Sequence, residues 1–391
     1  MPPRITKIES IEFGYPIEDV GTDGAGFNLV YEPGSTFERK LFALRVETDV
    51  GITGEYVGGN SPSAAQLNTI ADYFVDKNPL RRERHWSETK RALRKYDRMG
   101  MGPIDIALWD FAGKYYDAAI HELLGTYRER LPAYASTYHG DEHGGLDSPE
   151  AYADFAEECR EMGYTGFKIH GWGGSDDWRD INREIETVHA VGTRVGDQMD
   201  LMLDPACEYE TFGDALKVGR ACDEQNFFWY EDPYRDGGIS QHAHRKLRDL
   251  LETPLLQTEH IRGLEPHTDF IVADATDFVR ADPEYDAGIT GAMKLAAVAE
   301  GFGLDVEFHA PGPAQRHCIA ATRNANYYEL ALVHPECENT PPPIYEDGYS
   351  DAIGAIDDDG TVPVPDGPGL GVEYDWDYIE ANATGSIHEY T

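Results

Sequence analysis

The feature that most constrains this chain is a series of short apolar runs. Each is closed by an ionisable residue and set at nearly the same interval from the next. Leu201-Met202-Leu203 ends in Asp204, Phe228-Trp229-Tyr230 in Glu231, and Leu256-Gln257-Thr258 in Glu259, at intervals of 27 and 28 residues. Phe278-Val279-Arg280-Ala281 ends in Asp282 and Val306-Glu307-Phe308 in His309, again 27 residues apart. Runs this short fit buried strands, and amphipathic segments fill the intervals. Pro149-Glu150-Ala151-Tyr152 opens one such helix, expected to stop at Gly163, and Gly166 to His170 is the strand that follows. Strand alternating with helix predicts parallel βαβ units, either closed into a (β/α)8 barrel or spread as a doubly wound sheet. No Gly-x-Gly-x-x-Gly follows a strand, which disfavours the dinucleotide-binding sheet.

A chain of 391 residues is long enough for such a barrel and a smaller module. Ile5 to Phe13 and Lys40 to Glu47 alternate apolar and polar residues, as strands do. Between them Gly21 to Gly34 reads as a Gly-rich loop. Residues 61–124 read as helices, with Ile104, Ala107, Leu108, Phe111 and Ala112 on one face. The expected division is an N-terminal α+β capping domain over 1–128, a catalytic barrel over 129–335 and a C-terminal segment over 336–391 that packs back on the cap. In that last segment Pro341-Pro342-Pro343 and Asp357-Asp358-Asp359-Gly360 mark turns, and no helix is expected.

In a barrel, Asp204, Glu231 and Glu259 stand side by side at the C-terminal rim, where barrel active sites lie. Three hard oxygen ligands without a thiolate select Mg2+. Acids at strand ends are common in a chain with 72 of them, but here each follows an apolar run that places it at the mouth of a core. Asp282 and His309, on adjacent strands, form a pair in which the acid fixes the imidazole tautomer and raises its basicity. Lys168 and His170 lie two apart on one strand and so face the same way. His260 follows Glu259 directly, and neighbouring strand residues face opposite ways, so the two are not expected to share one metal. Five cysteines in an odd set without Cys-x-x-Cys make a disulfide framework or a structural zinc knuckle unexpected.

These residues resemble the enolase superfamily, in its mandelate racemase/muconate lactonizing enzyme-like branch, and the resemblance covers nearly the whole chain. Pro103-Ile-Asp-Ile-Ala-Leu-Trp-Asp-Phe-Ala-Gly-Lys114 looks like that family's helix before the barrel. Leu201 to Asp204, Trp229-Tyr-Glu231-Asp-Pro and Gln257-Thr-Glu259 match its metal-ligand strands. Asp282 to Lys294 and Phe308-His309 match its dyad. Asn326-Tyr-Tyr-Glu329 looks like the eighth strand, whose glutamate hydrogen-bonds the substrate carboxylate. The resemblance implies Mg2+-assisted removal of the proton next to a carboxylate, with the metal holding the resulting enediolate. The branch usually carries Lys-x-Lys where this chain has Lys168-Ile169-His170. Lys168 would then neutralise the carboxylate, and His170 would stand in the base's place. That departure favours a one-face reaction, dehydration of a sugar acid to a 2-keto-3-deoxy acid. A racemase or epimerase and a non-catalytic sugar-acid binding protein are the alternatives. The resemblance also implies a lid from the Gly21–Gly34 loop, with Tyr31, Tyr138, His139 and Trp172 as candidate substrate contacts, and a homo-oligomer.

The chain carries 72 acids against 33 bases, a net charge of −39. Such a surface repels nucleic acid and anionic membranes. No apolar signal core opens the chain and no stretch approaches a membrane span, so a cytoplasmic protein is expected. The acids run throughout, in segments such as Asp176-Asp177 and Asp357-Asp358-Asp359, which points to a solvated shell suited to high salt rather than an acidic tail. Thermal stability is therefore expected to rise from low to molar KCl. A melting temperature indifferent to salt would count against a halophilic source.

Overall fold

The computed structural model describes residues 2–24, 26–172, 180–338, 340–385 and 387–391. The pair Asp176-Asp177 lies outside them. Alternating burial builds the first layer. β1 (Ile5–Thr22), β2 (Leu29–Thr48) and β3 (Thr53–Gly58) pair antiparallel and bury Ile5, Ile11, Phe13, Phe42, Leu44 and Val46. α1 (Ser61–Asn68), α2 (Arg82–Ala92), α3 (Met101–Tyr116) and α4 (Ile120–Leu124) follow. α3 is buried along almost its whole length, so its acids must find partners inside. Asp110 accepts from the backbone N–H of Glu55 at 2.8 Å and of Leu370 at 2.9 Å, and pairs with Lys114 at 2.7 Å. Asp105 accepts from the N–H and hydroxyl of Thr290 at 2.9 and 2.8 Å. One helix thereby fastens the first sheet, the C-terminal segment and the barrel together.

The barrel runs β4 (Arg130–Thr137), α5 (Pro149–Met162), β5 (Gly166–His170), α6 (Ile181–Val195), β6 (Asp200–Asp204), α7 (Phe212–Glu224), β7 (Trp229–Glu231), α8 (Gln241–Arg248), β8 (Leu255–Gln257), α9 (Leu264–Val272), β9 (Phe278–Ala281), α10 (Gly288–Phe302), β10 (Asp305–Phe308), α11 (Pro313–Ala320) and β11 (Tyr328–Val333). Its eight strands are parallel, in the order β10-β9-β8-β7-β6-β5-β4-β11. The two end strands meet across a side-chain seam instead of a ladder. Glu307 accepts from the Asn326 side chain at 2.6 Å and from the Asn326 and Tyr327 N–H groups at 3.3 Å. Gly163, with φ +111°, ends α5 where a side chain would be strained.

Two expectations need correction. Most of the described residues of the Gly21–Gly34 stretch are strand: β1 runs to Thr22 and β2 starts at Leu29. Pro33 and Gly34 are absorbed where the pairing register shifts between Glu18 and Val20. The C-terminal segment does hold a helix, α12 (Trp376–Ala381), only six residues long and capped by Asp375. The segment packs on the first sheet and, in addition, on the barrel. β12 (Thr361–Pro363) pairs with β4 of the barrel, and β13 (His388–Tyr390) with β1. No described helix is long and apolar enough to cross a membrane.

Asp110→Ala strands two buried N–H groups and should destabilise the protein by about 3 kcal/mol in denaturant unfolding, at roughly 1–3 kcal/mol for each lost acceptor. A change under about 0.5 kcal/mol would show that α3 is not the fastener.

Candidate metal and proton-transfer site

The parallel register carries the strand-end residues to one rim. Oxygens of Asp204, Glu231 and Glu259 all lie within 4.8 Å of one another. Beneath them two cations are fully buried. Lys168 Nζ stands 3.4 Å from Asp204, 3.1 Å from Glu231 and 3.0 Å from Glu329. Arg280 reaches Glu231 at 2.9 Å and Glu329 at 2.8 Å, and donates to the Tyr134 hydroxyl at 3.2 Å. Burial raises the proton affinity of every carboxyl here. For Asp204 and Glu329 the nearby cations outweigh burial and hold both well below the ordinary carboxylate range. For Glu231 burial wins, and its carboxyl is pushed up to about 7 against the pull of Arg280 and Lys168. Glu231 Oε1 is held by the Arg280 guanidinium as a 2.9 Å ion pair without hydrogen-bond geometry. Four carboxylates around two cations, with three of them offering an all-oxygen donor set within 4.8 Å, fit a hard divalent cation such as Mg2+.

Beside this group stands a histidine held by an acid. His309 Nδ1 donates to Asp282 at 2.7 Å, which leaves Nε2 directed at Glu259, 3.4 Å away. Burial opposes its cationic form, but Glu259 and Asp282 outweigh burial and raise the imidazole to about 9. His170 donates Nδ1–H to the Thr137 carbonyl at 2.6 Å and brings Nε2 within 3.2 Å of Asp204. His139 donates to the Gly171 carbonyl at 3.0 Å and lies 5.0 Å, ring to ring, from His170. Burial, with His170 next to it, pushes His139 down to about 3, so it stays neutral. A cavity of about 690 Å3 opens over these groups, roofed by Phe27, Asn28, Leu29 and Arg39 from the N-terminal sheet and by residues 340–342.

Residues 151–378 match the enolase C-terminal-domain-like family, and residues 30–125 match the N-terminal domain of mandelate racemase/muconate lactonizing enzymes. The chain belongs to the enolase superfamily. D-galactarolactone cycloisomerase of Agrobacterium fabrum is 28% identical over 359 residues, 88% of this chain and 91% of that protein. D-gluconate/D-galactonate dehydratase of Picrophilus torridus is 28% identical over 329 residues, 82% and 80% of the two chains. The crystal structure of D-glucarate dehydratase from Agrobacterium tumefaciens, complexed with magnesium, superposes with a TM-score of 0.84 at 29% identity, over 98% of this chain and 99% of that one.

In this superfamily member the barrel mouth brings Lys168, His170, Asp204, Glu259, Asp282, His309, Glu329 and His139 to the same cavity wall, with Glu231 just below it. The other three expected substrate contacts lie outside that wall. Tyr31 sits in β2, paired with Val20, and stacks on His334 at 4.8 Å between ring centres. Tyr138 is buried and donates its hydroxyl to the Glu338 carbonyl. Trp172 donates to Thr187 and lies under the Arg183 guanidinium. The polar atoms of Tyr138 and Trp172 are used within the protein, and none of the three residues lines the cavity. Sequence reading passed over Arg280, although period two places it on the same face as Asp282. It also passed over Arg39, which makes no ion pair among the described residues and gives no local signal. Glu284, which accepts from the Tyr56 hydroxyl and the Gly59 N–H, was missed too.

Asp204→Asn should weaken Mg2+ binding at least tenfold by calorimetry, since even outer-shell changes cost roughly 10–100-fold. Unchanged affinity would show that the cation, if bound, sits elsewhere.

Proposed function

We propose that this protein is a Mg2+-dependent acid-sugar dehydratase. It removes the proton next to the carboxylate of an aldonic or aldaric acid and expels the β-hydroxyl as water, leaving a 2-keto-3-deoxy acid. The observation that carries this reading is the meeting of Asp204, Glu259 and the His309–Asp282 pair on one cavity, with Glu231 directly beneath Asp204 and Glu259. Relatives named as dehydratases of gluconate, galactonate and glucarate support the substrate class.

Asp204, Glu231 and Glu259 would hold the Mg2+. Bound there, the ion supplies the Lewis acidity that makes a proton next to a carboxylate removable. The chain's own groups do the rest. Lys168 offers a fixed positive charge to the substrate carboxylate, and Glu329, locked between Lys168 and Arg280, keeps that lysine in place. With the Glu259 charge committed to the ion, His309 would be neutral at Nε2 and take the proton there, because its Nδ1–H is committed to Asp282. His170 has its Nδ1–H committed to Thr137, so Nε2 is the nitrogen left to hand a proton to the departing hydroxyl. It stands on β5, well around the barrel ring from His309 after β10. That separation suits removal from one side and departure on another. The cap residues Asn28, Leu29 and Arg39 line the same cavity.

A panel of aldonic and aldaric acids, with Mg2+ and a 2-keto-acid assay, should identify at least one substrate. His309→Asn should slow that reaction about 100-fold or more while the melting temperature stays near the parent value. Incorporation of solvent deuterium without any 2-keto acid, across the whole panel, would instead identify an epimerase or another isomerase. Neither product nor exchange would mark a binding protein.

A further inference from the structure

We propose that the barrel rim carries a second cation site, built from Cys207, Asp232 and His260 and suited to a thiophilic divalent ion of the zinc class. One donor atom from each residue lies within 4.8 Å of the other two. Tetrahedral zinc holds such donors roughly 3.3–3.8 Å apart, from bond lengths near 2.0–2.3 Å, so small side-chain movements close the set. Among the described residues this is the only such grouping that includes a thiol.

The decisive residue is Asp232. Its side chain is 1% exposed, and neither carboxylate oxygen accepts a hydrogen bond. The His260 Nε2 stands 3.3 Å from Oδ2 without hydrogen-bond geometry. A buried carboxylate without partners costs several kcal/mol, as a rough figure, unless a cation or a proton compensates it. The two other donors lie against that carboxylate. The Cys207 N–H donates to the Asp232 carbonyl at 2.8 Å, which pins the two turns together. Gly238 passes directly over the group, and a Cβ there would come within 2.5 Å of Asp232 Oδ1. The loop thus closes on the carboxylate at a position that leaves no room for a side chain.

The chemistry separates this group from the carboxylate site beside it. Asp232 follows Glu231, His260 follows Glu259, and Cys207 comes three residues after Asp204. The two donor sets interleave along the same three strand-to-loop turns, so one rim presents both. The first is all carboxylate and takes a hard ion. The second is sulfur, nitrogen and oxygen, which selects zinc and its neighbours over magnesium. Three protein donors leave a fourth tetrahedral position open, and His260 lines the cavity, so that position lies next to the substrate space.

Co2+ is the probe, because a thiolate ligand gives it a near-ultraviolet charge-transfer band. The full chain, saturated with Mg2+, is titrated with Co2+ while the spectrum and the bound-metal ratio are followed. The expected result is one Co2+ per chain with the thiolate band. The band should disappear in Cys207→Ser, weaken in His260→Gln and persist in Asp204→Asn, which damages only the Mg2+ site. No band in the parent protein, or a band unchanged in Cys207→Ser, overturns the proposal. Should Cys207→Ser fail to fold, His260→Gln at its partly exposed position decides: an unchanged band and affinity there overturn it too.

Discussion

Lys168 and Arg280 are buried together with Asp204, Glu231 and Glu329, and the rest of the site depends on how those charges share a space with little water. Removing an ion from water costs several kcal/mol, as an order of magnitude, and only close pairing offsets it. The pairings recorded at 2.8–3.4 Å do that for Lys168, Arg280 and Glu329. They do not do it for the whole rim. Glu259 comes only within 4.0 Å of Arg280 and faces the cavity. That residual negative charge, aimed upward from a rigid floor, is what makes a divalent cation fit there. The same floor sets the chemistry above it, since Glu259 is the carboxylate that faces His309 Nε2.

The roof has a different origin. A barrel rim alone is open to water, and the long β1–β2 hairpin closes it. Asn28, at the hairpin turn, donates to Glu208 at 2.8 Å, so the turn is tied to the loop after β6. α3 holds the body of the same sheet against the barrel through Asp105 and Asp110. Sequence therefore acts on function by two routes. Strand-end residues supply the chemistry, and two inward acids of one helix fix the distance between the chemistry and its cover.

Much of this was legible in the chain. The interval of 27 or 28 residues is one strand, one helix and two turns, so equal intervals forced the strand-end groups onto one rim. Period two paired Lys168 with His170. The end of α5 was legible because a left-handed residue there calls for Gly163. What escaped depended on contacts between distant segments. Tyr138 and Trp172 follow the right strands, but their polar atoms are taken by partners that local sequence does not reveal. Gly21 to Gly34 carries loop composition, yet long-range pairing with β1 makes most of it strand. α12 escaped because six residues are too few for a helical period, and its cap by Asp375 is the only local sign. Asp232 was read as part of a motif; its lack of partners emerges only once Gly238 and Cys207 are seen against it.

The account stands on three carboxylates meeting at one ion within reach of His309. The most direct measurement is a crystal structure of the protein with Mn2+ in place of Mg2+, read by anomalous scattering at the manganese edge. The account predicts a peak bounded by Asp204, Glu231 and Glu259, on the cavity side of Lys168. Full-occupancy Mn2+ elsewhere, with no peak among those carboxylates, would contradict it.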